Sequence, residues 1–421
     1  MDVSLYYGKS TLKIKVPDES VIIEPQYIPG IPDENGAIKG TLRNPVNSSS
    51  LNKSVFRGQK VGISVCDITR ASPTKTVLPI VLQELSHIEK SDITIFIATG
   101  THRSNSPAEL KSMLGDKVIN GGYKIQNHDS SLKSELSYLG LTDNNIPIWL
   151  NKKWLETDYK ITLGFVEPHF FAGFSGGPKM ICPGLAGLDT IMQLHGADMI
   201  AHKNSTWGLT DGNPIHDTIK EISTKHPSDF TVDVTINKNR NITSVLAGEM
   251  FSVHKSLCGF VKSTSMCKVN SEFDIVITTN GGYPLDLNLY QSIKGISAAF
   301  QVVKKNRGSI ICASECSDGI PEHGLFKQIL TSQPSPEKLI SMIETPNYSQ
   351  QDQWQVQIQS QILQEADIYF KSDYLSDLEI KKSHLLPISN IDVVLEDLIK
   401  KYGSNTTVCV IPEGPQSIPY I

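Results

Sequence analysis

The chain has 421 residues, and 39 Lys and Arg against 44 Asp and Glu leave a net charge of −5. A hydrophobic fraction of 39% excludes disorder over the whole length, and the length suggests two or three domains. Without basic blocks there is no footprint for nucleic acid, and no run of about 18 apolar residues offers a membrane span. The expected partner is a small molecule. The start, Met1-Asp2-Val3-Ser4-Leu5, has no basic region leading into an apolar run. The seven cysteines are scattered, and the close pair Cys312 and Cys316 has no second pair to complete a zinc site. Reduced, mostly buried thiols in a cytoplasmic protein are the expectation.

No internal repeat is present. Residues 11–23 alternate like a strand hairpin. From 61 onward the pattern becomes strand, loop, helix: a strand at 61–66, a helix at 76–88, a strand at 93–98 and a helix from Pro107. That last helix has a marked start, with Ser106 at the N-cap, Pro107 first in the helix and Glu109 three residues after the cap. Residues 158–166 read as a buried strand and 188–200 as a helix. A second series comes after it: strand 273–279, helix 285–303, strand 308–313, helices 336–343 and 350–364, strand 366–371, helix 391–402 and strand 406–411. The join is expected within 243–270. The fold class expected is α/β, with two α/β domains, largely parallel Rossmann-like sheets and an interdomain active-site cleft. Residues 1–268 form the N-terminal domain of that reading and 269–421 the C-terminal one, with the last strand a candidate to return to the first domain.

Unusual residues gather after strands, where open parallel sheets bind ligands. Asp67-Ile68-Thr69-Arg70 follows the first such strand, Thr99-Gly100-Thr101-His102-Arg103 the second, and Glu167-Pro168-His169 the strand ending at Val166. If these strands are neighbours, the three ends converge on one crevice. The segment Gly173-Phe174-Ser175-Gly176-Gly177-Pro178-Lys179 admits two readings. It fits the G-x-S-x-G nucleophile elbow with Ser175 attacking, although Pro168 and Pro178 flank it where a strand and a helix belong. It also reads as a glycine-rich loop whose N–H groups hold a phosphate, with Lys179 adding charge or a nucleophilic amine. No full P-loop and no G-x-G-x-x-G occurs. Leu188, Ile191, Met192, His195 and Met199 share one helix face, so His195 is either a core histidine or a metal ligand. In the second half, Gln291 and Lys294 share a helix face after Gly281-Gly282-Tyr283-Pro284. Trp354 stands in the polar stretch Gln353-Trp354-Gln355, as a cleft lid or as a packing residue.

These segments resemble the nickel-pincer lactate racemase family. Asp67 to Arg70, Gly100 to Arg103, Glu167 to Lys179, His195, Tyr290-Gln291-Ser292-Ile293-Lys294 and Trp354-Gln355 carry the likeness, in order, over nearly the whole chain. The resemblance implies a nickel-pincer nucleotide, a pyridinium mononucleotide carrying Ni between two sulfurs and a carbon, covalently joined at Lys179. It implies His195 as the nickel ligand, a planar sulfur and imidazole set that suits the metal. Asp67, Thr69, Ser175, Gly176 and Gly177 would bind the cofactor, the last three through a backbone phosphate cradle. His102 and His169 would be the catalytic bases that move the hydroxyl proton of a 2-hydroxy acid while its C2 hydride is transferred. Arg70, Tyr290, Gln291, Lys294 and Trp354 would bind that substrate. Accessory proteins that load the cofactor are also implied. Two departures stand out: Pro178 directly before the lysine, and Pro321 in Ser317-Asp318-Gly319-Ile320-Pro321. The rival readings are a serine hydrolase built on Ser175 and a non-catalytic nickel- or metabolite-binding protein.

Overall fold

A strand in the middle of a helix-covered parallel sheet must be apolar on both faces. Val61–Cys66 (VGISVC) meets that demand, with all six residues buried. The structure, a computed structural model, describes residues 1–322 and 324–421. The chain divides into two units, one made of residues 27–195 and 204–262, the other of 1–26, 196–203 and 263–421.

In the first unit six strands form one sheet, in the order Ile242–Gly248, Phe230–Ile236, Tyr159–Phe165, Val61–Cys66, Ile93–Ala98, Lys124–Asn127. The first pair is antiparallel and every other pair parallel. Helix Thr74–Glu84 covers one face with Val77, Leu78, Val81 and Leu82. The start of Pro107–Leu114 is capped as its sequence demands, Ser106 and Glu109 exchanging side-chain and backbone bonds. The chain lays down Val61–Cys66, Ile93–Ala98 and Lys124–Asn127 in one direction, then returns to place Tyr159–Phe165 on the other side of Val61–Cys66. That reversal makes a topological switch point between Val61–Cys66 and Tyr159–Phe165, where the loops leaving the two strands diverge and open a crevice.

The second unit has an all-parallel six-stranded sheet, ordered Leu386–Pro387, Ala366–Lys371, Gly308–Ala313, Ile275–Thr279, Val408–Ile411, Val21–Ile22. Here the domain reading needs correction. The first 26 residues belong to this unit, not to the N-terminal one. The hairpin pairs Asp2–Tyr7 with Ser10–Lys15 rather than spanning 11–23. Its Leu5, Tyr7, Ile14 and Val16 join Ile275, Ile277, Val408 and Val410 in one core, and Val21–Ile22 extends the sheet edge. The last strands stay in the same unit, Val408–Ile411 beside Ile275–Thr279 and Ile418–Tyr420 beside Met266–Lys268. The expected join is itself structured: Ile242–Gly248 is a strand and Met250–Ser265 a helix whose Met250, Val253, His254, Leu257, Cys258 and Val261 form a buried stripe.

The glutamine-rich helix is another surprise. In helix Gln353–Glu365 residues 353–360 are buried on every side, and Gln353, Gln355, Gln357 and Gln359 are each at most 1% exposed. Gln357 Nε2 donates to Ala197 O at 2.8 Å and Gln359 Nε2 to Ser383 O at 2.6 Å. The first of these bonds ties residues 196–203 to this unit. All seven cysteines are free thiols, six of them buried, and among the described residues no helix is long and apolar enough to cross a membrane.

Candidate active site

Val61–Cys66 lies between Ile93–Ala98 and Tyr159–Phe165 in the sheet, so the polar segments that come after these three strands open at one edge. Asp67 is 3% exposed there. Its Oδ2 accepts from His102 Nδ1 at 2.8 Å, and its Oδ1 accepts from Thr69 Oγ1 at 2.8 Å. Burial alone would raise its pKa, but the His102 bond and charge, the Arg70 guanidinium and the Thr69 hydroxyl outweigh it and hold the carboxyl below its usual value. An ionised carboxylate only accepts, so His102 carries a proton on Nδ1 toward Asp67, and Nε2 is the ring's other nitrogen. Asp67 and Thr69, assigned to the cofactor by resemblance, are thus occupied in orienting His102. Arg103 is drawn away by a two-point pair with Glu109, at 2.7 and 2.8 Å.

Beyond Tyr159–Phe165 the chain makes a two-rung ribbon, Pro168–His169 against Gly173–Phe174. His169 Nδ1 accepts the Ala172 N–H at 3.3 Å. The His169 and Phe171 rings meet edge-on at 4.5 Å, and Phe171 meets His195 edge-on at 5.1 Å, so both imidazoles pack against one phenyl ring. Gly176 and Gly177 are left-handed, with φ of 76° and 49°. A Cβ on Gly177 would lie 2.6 Å from the His254 ring.

The Ser175 hydroxyl is fully engaged by the end of the sheet. Its Oγ donates to Phe165 O at 2.7 Å and accepts the Glu167 N–H at 2.9 Å. The nearby imidazole, His254, bonds the Ser175 carbonyl through Nε2 at 2.9 Å and not the hydroxyl. After Gly176 the chain enters the short 3₁₀ turn Gly177–Met180, not the helix of an elbow. The nucleophile reading of Ser175 therefore fails on geometry. The expected phosphate cradle also needs correction. The Ser175 N–H is given to Glu167 O at 2.9 Å and the Gly177 N–H to Asp233 Oδ2 at 2.9 Å, so neither is turned toward a ligand.

Lys179 lies in the 3₁₀ turn; burial lowers the pKa values of His195, His216 and His254, and the nearby lysine charge adds to each fall. The expected helix over 188–200 is two: Leu188–Leu194, then Ala197–Ala201 after Gly196 in extended backbone. His195 is the C-cap of the first rather than a member of an apolar stripe. Its Nδ1 lies 2.7 Å from Ile191 O. A carbonyl can only accept, so the proton sits on Nδ1 and the lone pair on Nε2. Burial drives the His195 pKa down to about 4, and Lys179 adds to the fall, which keeps the ring neutral. A neutral imidazole with its second nitrogen pinned to a carbonyl is the form that ligates metals.

Comparison with known proteins fits this geometry. Residues 7–208 match the lactate racemase N-terminal domain and residues 268–418 the lactate racemase C-terminal domain. The chain belongs to the lactate racemase family. It is 31% identical to the lactate racemase of Thermoanaerobacterium thermosaccharolyticum over 422 residues, and 31% identical to that of Lactiplantibacillus plantarum over 418. Each alignment covers 98% of both chains. The solved structure of the T. thermosaccharolyticum lactate racemase apoprotein superposes with a TM-score of 0.93 at 30% identity, over 100% of both chains. A Thermotoga maritima protein of 17% identity shares the fold, with a TM-score of 0.69 over 93% of this chain and 99% of that one. As a member of this racemase family, the protein is an isomerase.

The family's candidate substrate residues in the second unit form their own group. Asn288 caps helix Leu289–Phe300 by accepting the Gln291 N–H, and Gln291 and Lys294 are half-buried on that helix. Trp354 is buried and donates from Nε1 to the Tyr290 hydroxyl at 3.2 Å. Gln355 Nε2 reaches Tyr290 O at 2.5 Å. Trp354 is thereby a packed residue of its own unit, held against Tyr290.

Three buried residues near the glycine loop escape sequence reasoning. Asp233 lies on strand Phe230–Ile236, His216 on helix Pro214–Lys225 and His254 on helix Met250–Ser265. The two imidazoles stack at 5.6 Å and 13°. The one sequence signal among the three is the carboxylate of Asp233 inside the largely apolar run of strand Phe230–Ile236.

Proposed function

We propose that this racemase inverts C2 of a 2-hydroxy acid, with lactate first among candidates because both matched relatives are lactate racemases. The observation that carries the reading is the set of two oriented imidazoles, His102 backed by Asp67 and His169 engaged by Ala172, in one unit with Lys179 and the neutral His195. The strands leading to His102 and His169 are separated by a single strand, so their ends lie about 10 Å apart at ordinary sheet spacing. A small hydroxy acid would lie between the loops that leave those two strand ends.

The residues suit a nickel-pincer nucleotide. Lys179 is the amine that would carry it, and His195 Nε2 would be the protein's ligand to Ni, the remaining donors coming from the cofactor. Among the described residues no cluster of three or more His, Cys, Asp or Glu is arranged to hold a metal ion. When bound, the group supplies a pyridinium carbon that accepts the C2 hydride and returns it. The chain's own residues handle the rest. Arg70 holds the carboxylate by a two-point contact. One histidine takes the hydroxyl proton as the C–O bond becomes a carbonyl, since an alcohol gives up hydride readily only as its proton leaves. The flat 2-keto acid then turns, and the other histidine, in its protonated form, returns a proton to the oxygen of the opposite enantiomer. On the family resemblance, Gln291, Lys294, Tyr290 and Trp354 are proposed to contribute to substrate binding.

Expression in a host that makes the cofactor, with its loading proteins, tests the reading. The expected result is an added mass on the intact chain that vanishes in Lys179→Ala, nickel that is lost in His195→Ala, and interconversion of D- and L-lactate seen by chiral chromatography. Active protein without adduct or nickel would sink the proposal. A loaded protein inert on lactate would redirect the substrate to malate, longer, aromatic or sugar 2-hydroxy acids.

A further inference from the structure

The glycine loop is gripped from behind by two buried side chains that take no part in the proton transfers. Asp233 is wholly buried, and its Oδ2 accepts the Gly177 N–H at 2.9 Å. Directly across the sheet from it stands Gly164. A Cβ on Gly164 would lie 2.1 Å from Asp233 Oδ1 and 3.2 Å from Gly176 Cα. The missing side chain thus opens a slot in which the carboxyl lies and onto which the loop settles. From the other side, His254 donates from Nε2 to Ser175 O at 2.9 Å, and its ring fills the space where a Gly177 Cβ would be. His254 is itself braced by the parallel His216 ring.

The two bonds hold the peptide groups on either side of Gly176, one by its C=O and one by its N–H. Between them they set the left-handed path of Gly176 and Gly177, and Lys179 comes two residues later. We infer that Asp233 and His254 are positioning residues of this racemase, a clamp that fixes the 175–179 backbone so that Lys179 is presented for attachment of the cofactor. The inference rests on the proposed function for the role of Lys179, and on the hydrogen bonds alone for the clamp. Gly164, Asp233 and His254, from three separate elements, meet at the one turn that carries Gly176 and Gly177. A loop needed only to close the fold would be held at lower cost by apolar packing, because buried polar groups must be paired to be tolerated.

The test uses the full chain with Asp233→Ala and His254→Met, which remove the bonds, and with Asp233→Asn and His254→Gln, which keep an acceptor and a donor. Two readouts are taken. Amide hydrogen exchange of the unloaded protein should accelerate at least tenfold in peptides covering 175–180 for the first pair, with the Val61–Cys66 amides unchanged. In loading-competent cells the adduct at Lys179, read by intact mass, should fall at least fivefold for the first pair and return in the second. Should Asp233→Ala not fold, His254→Met, an apolar replacement of similar bulk, carries the test. Wild-type exchange and wild-type loading in His254→Met would overturn the inference, as would acceleration spread over the whole unit. If the wild-type chain itself carries no adduct, the functional reading fails while the exchange data still decide the clamp.

Discussion

Replacing Ser175 with alanine separates a structural hydroxyl from a nucleophile. In the structure this hydroxyl donates to Phe165 O at 2.7 Å and accepts the Glu167 N–H at 2.9 Å, joining the end of strand Tyr159–Phe165 to the loop that folds back over it. Each hydrogen bond contributes about 1 kcal/mol net, and a backbone group left dry and unpaired costs about 1–3 kcal/mol. Ser175→Ala removes two bonds at a half-buried position, so the expected loss is about 2–4 kcal/mol. With a urea dependence of about 1–3 kcal/mol per molar, the unfolding midpoint should drop by about 1 M. Tryptophan fluorescence tracks the unfolding, and chiral chromatography tracks racemisation by the fraction that stays folded and loaded. The expected turnover of that fraction is within about tenfold of wild type, because no imidazole touches Oγ and no step uses it. A variant with the wild-type midpoint and a turnover reduced by about 10⁴ would refute this reasoning and give the hydroxyl a direct part in the chemistry.

Asp67→Asn should leave adduct mass and nickel content unchanged but lower kcat by about 10²–10³, since the amide can present the wrong hydrogen-bond partner to His102 Nδ1; steady-state kinetics with each lactate enantiomer check this. Gly177→Ala places a Cβ 2.6 Å from the His254 ring at φ 49° and should destabilise by more than about 2 kcal/mol, whereas Gly40→Ala, in a helix with nothing near its Cβ, should stabilise by about 0.5–1 kcal/mol; thermal melts of both variants decide. Burial, with help from neighbouring positive charge, drives the pKa of His216 down to about 3 and that of His254 to about 4. Both rings are therefore neutral in the fold yet charge near pH 6.5 when unfolded. Their stabilisation is full above that pH and is lost as pH falls from 6.5 toward 4. Urea midpoints across that range should fall steeply, and less steeply in His216→Phe; equal slopes would contradict the assignment.

Much of the local structure is legible in the residues themselves. The capping box at Ser106 and Glu109 is read from four consecutive positions and is found as read. Val61–Cys66 and Gly308–Ala313 announce themselves as strands because apolar runs between loop signals have no other place to go, and Ala366–Lys371 does so by alternation, every second residue being buried. The site motifs are legible for the same reason, being continuous and attached to strand ends. Periodicity alone puts His195 on a helix face because the apolar pattern continues through Gly196, while the backbone there turns extended and ends the helix. The glutamines of Gln353–Glu365 mark a polar helix in the sequence, but polarity by itself does not reveal that Ala197, Ser383 and Tyr290 carbonyls wait for them.

Family, α/β class and the residue types of the chemistry are all written in the chain, because they depend on short-range pattern and on motifs that stay whole along it. Other facts exist only once the chain is folded: the first 26 residues serve the second unit, Asp67 and Thr69 hold His102, the Ser175 hydroxyl is spent on the backbone, and Asp233 and His254 reach Gly177 and Ser175. Each of those facts is a pairing between residues far apart in sequence or between a side chain and a backbone group, and such pairings are set by strand order and by which faces must be buried together. A hydroxyl, an imidazole or a carboxylate has the same letter whether its partner is substrate, metal or a peptide group, and the fold alone supplies the partner.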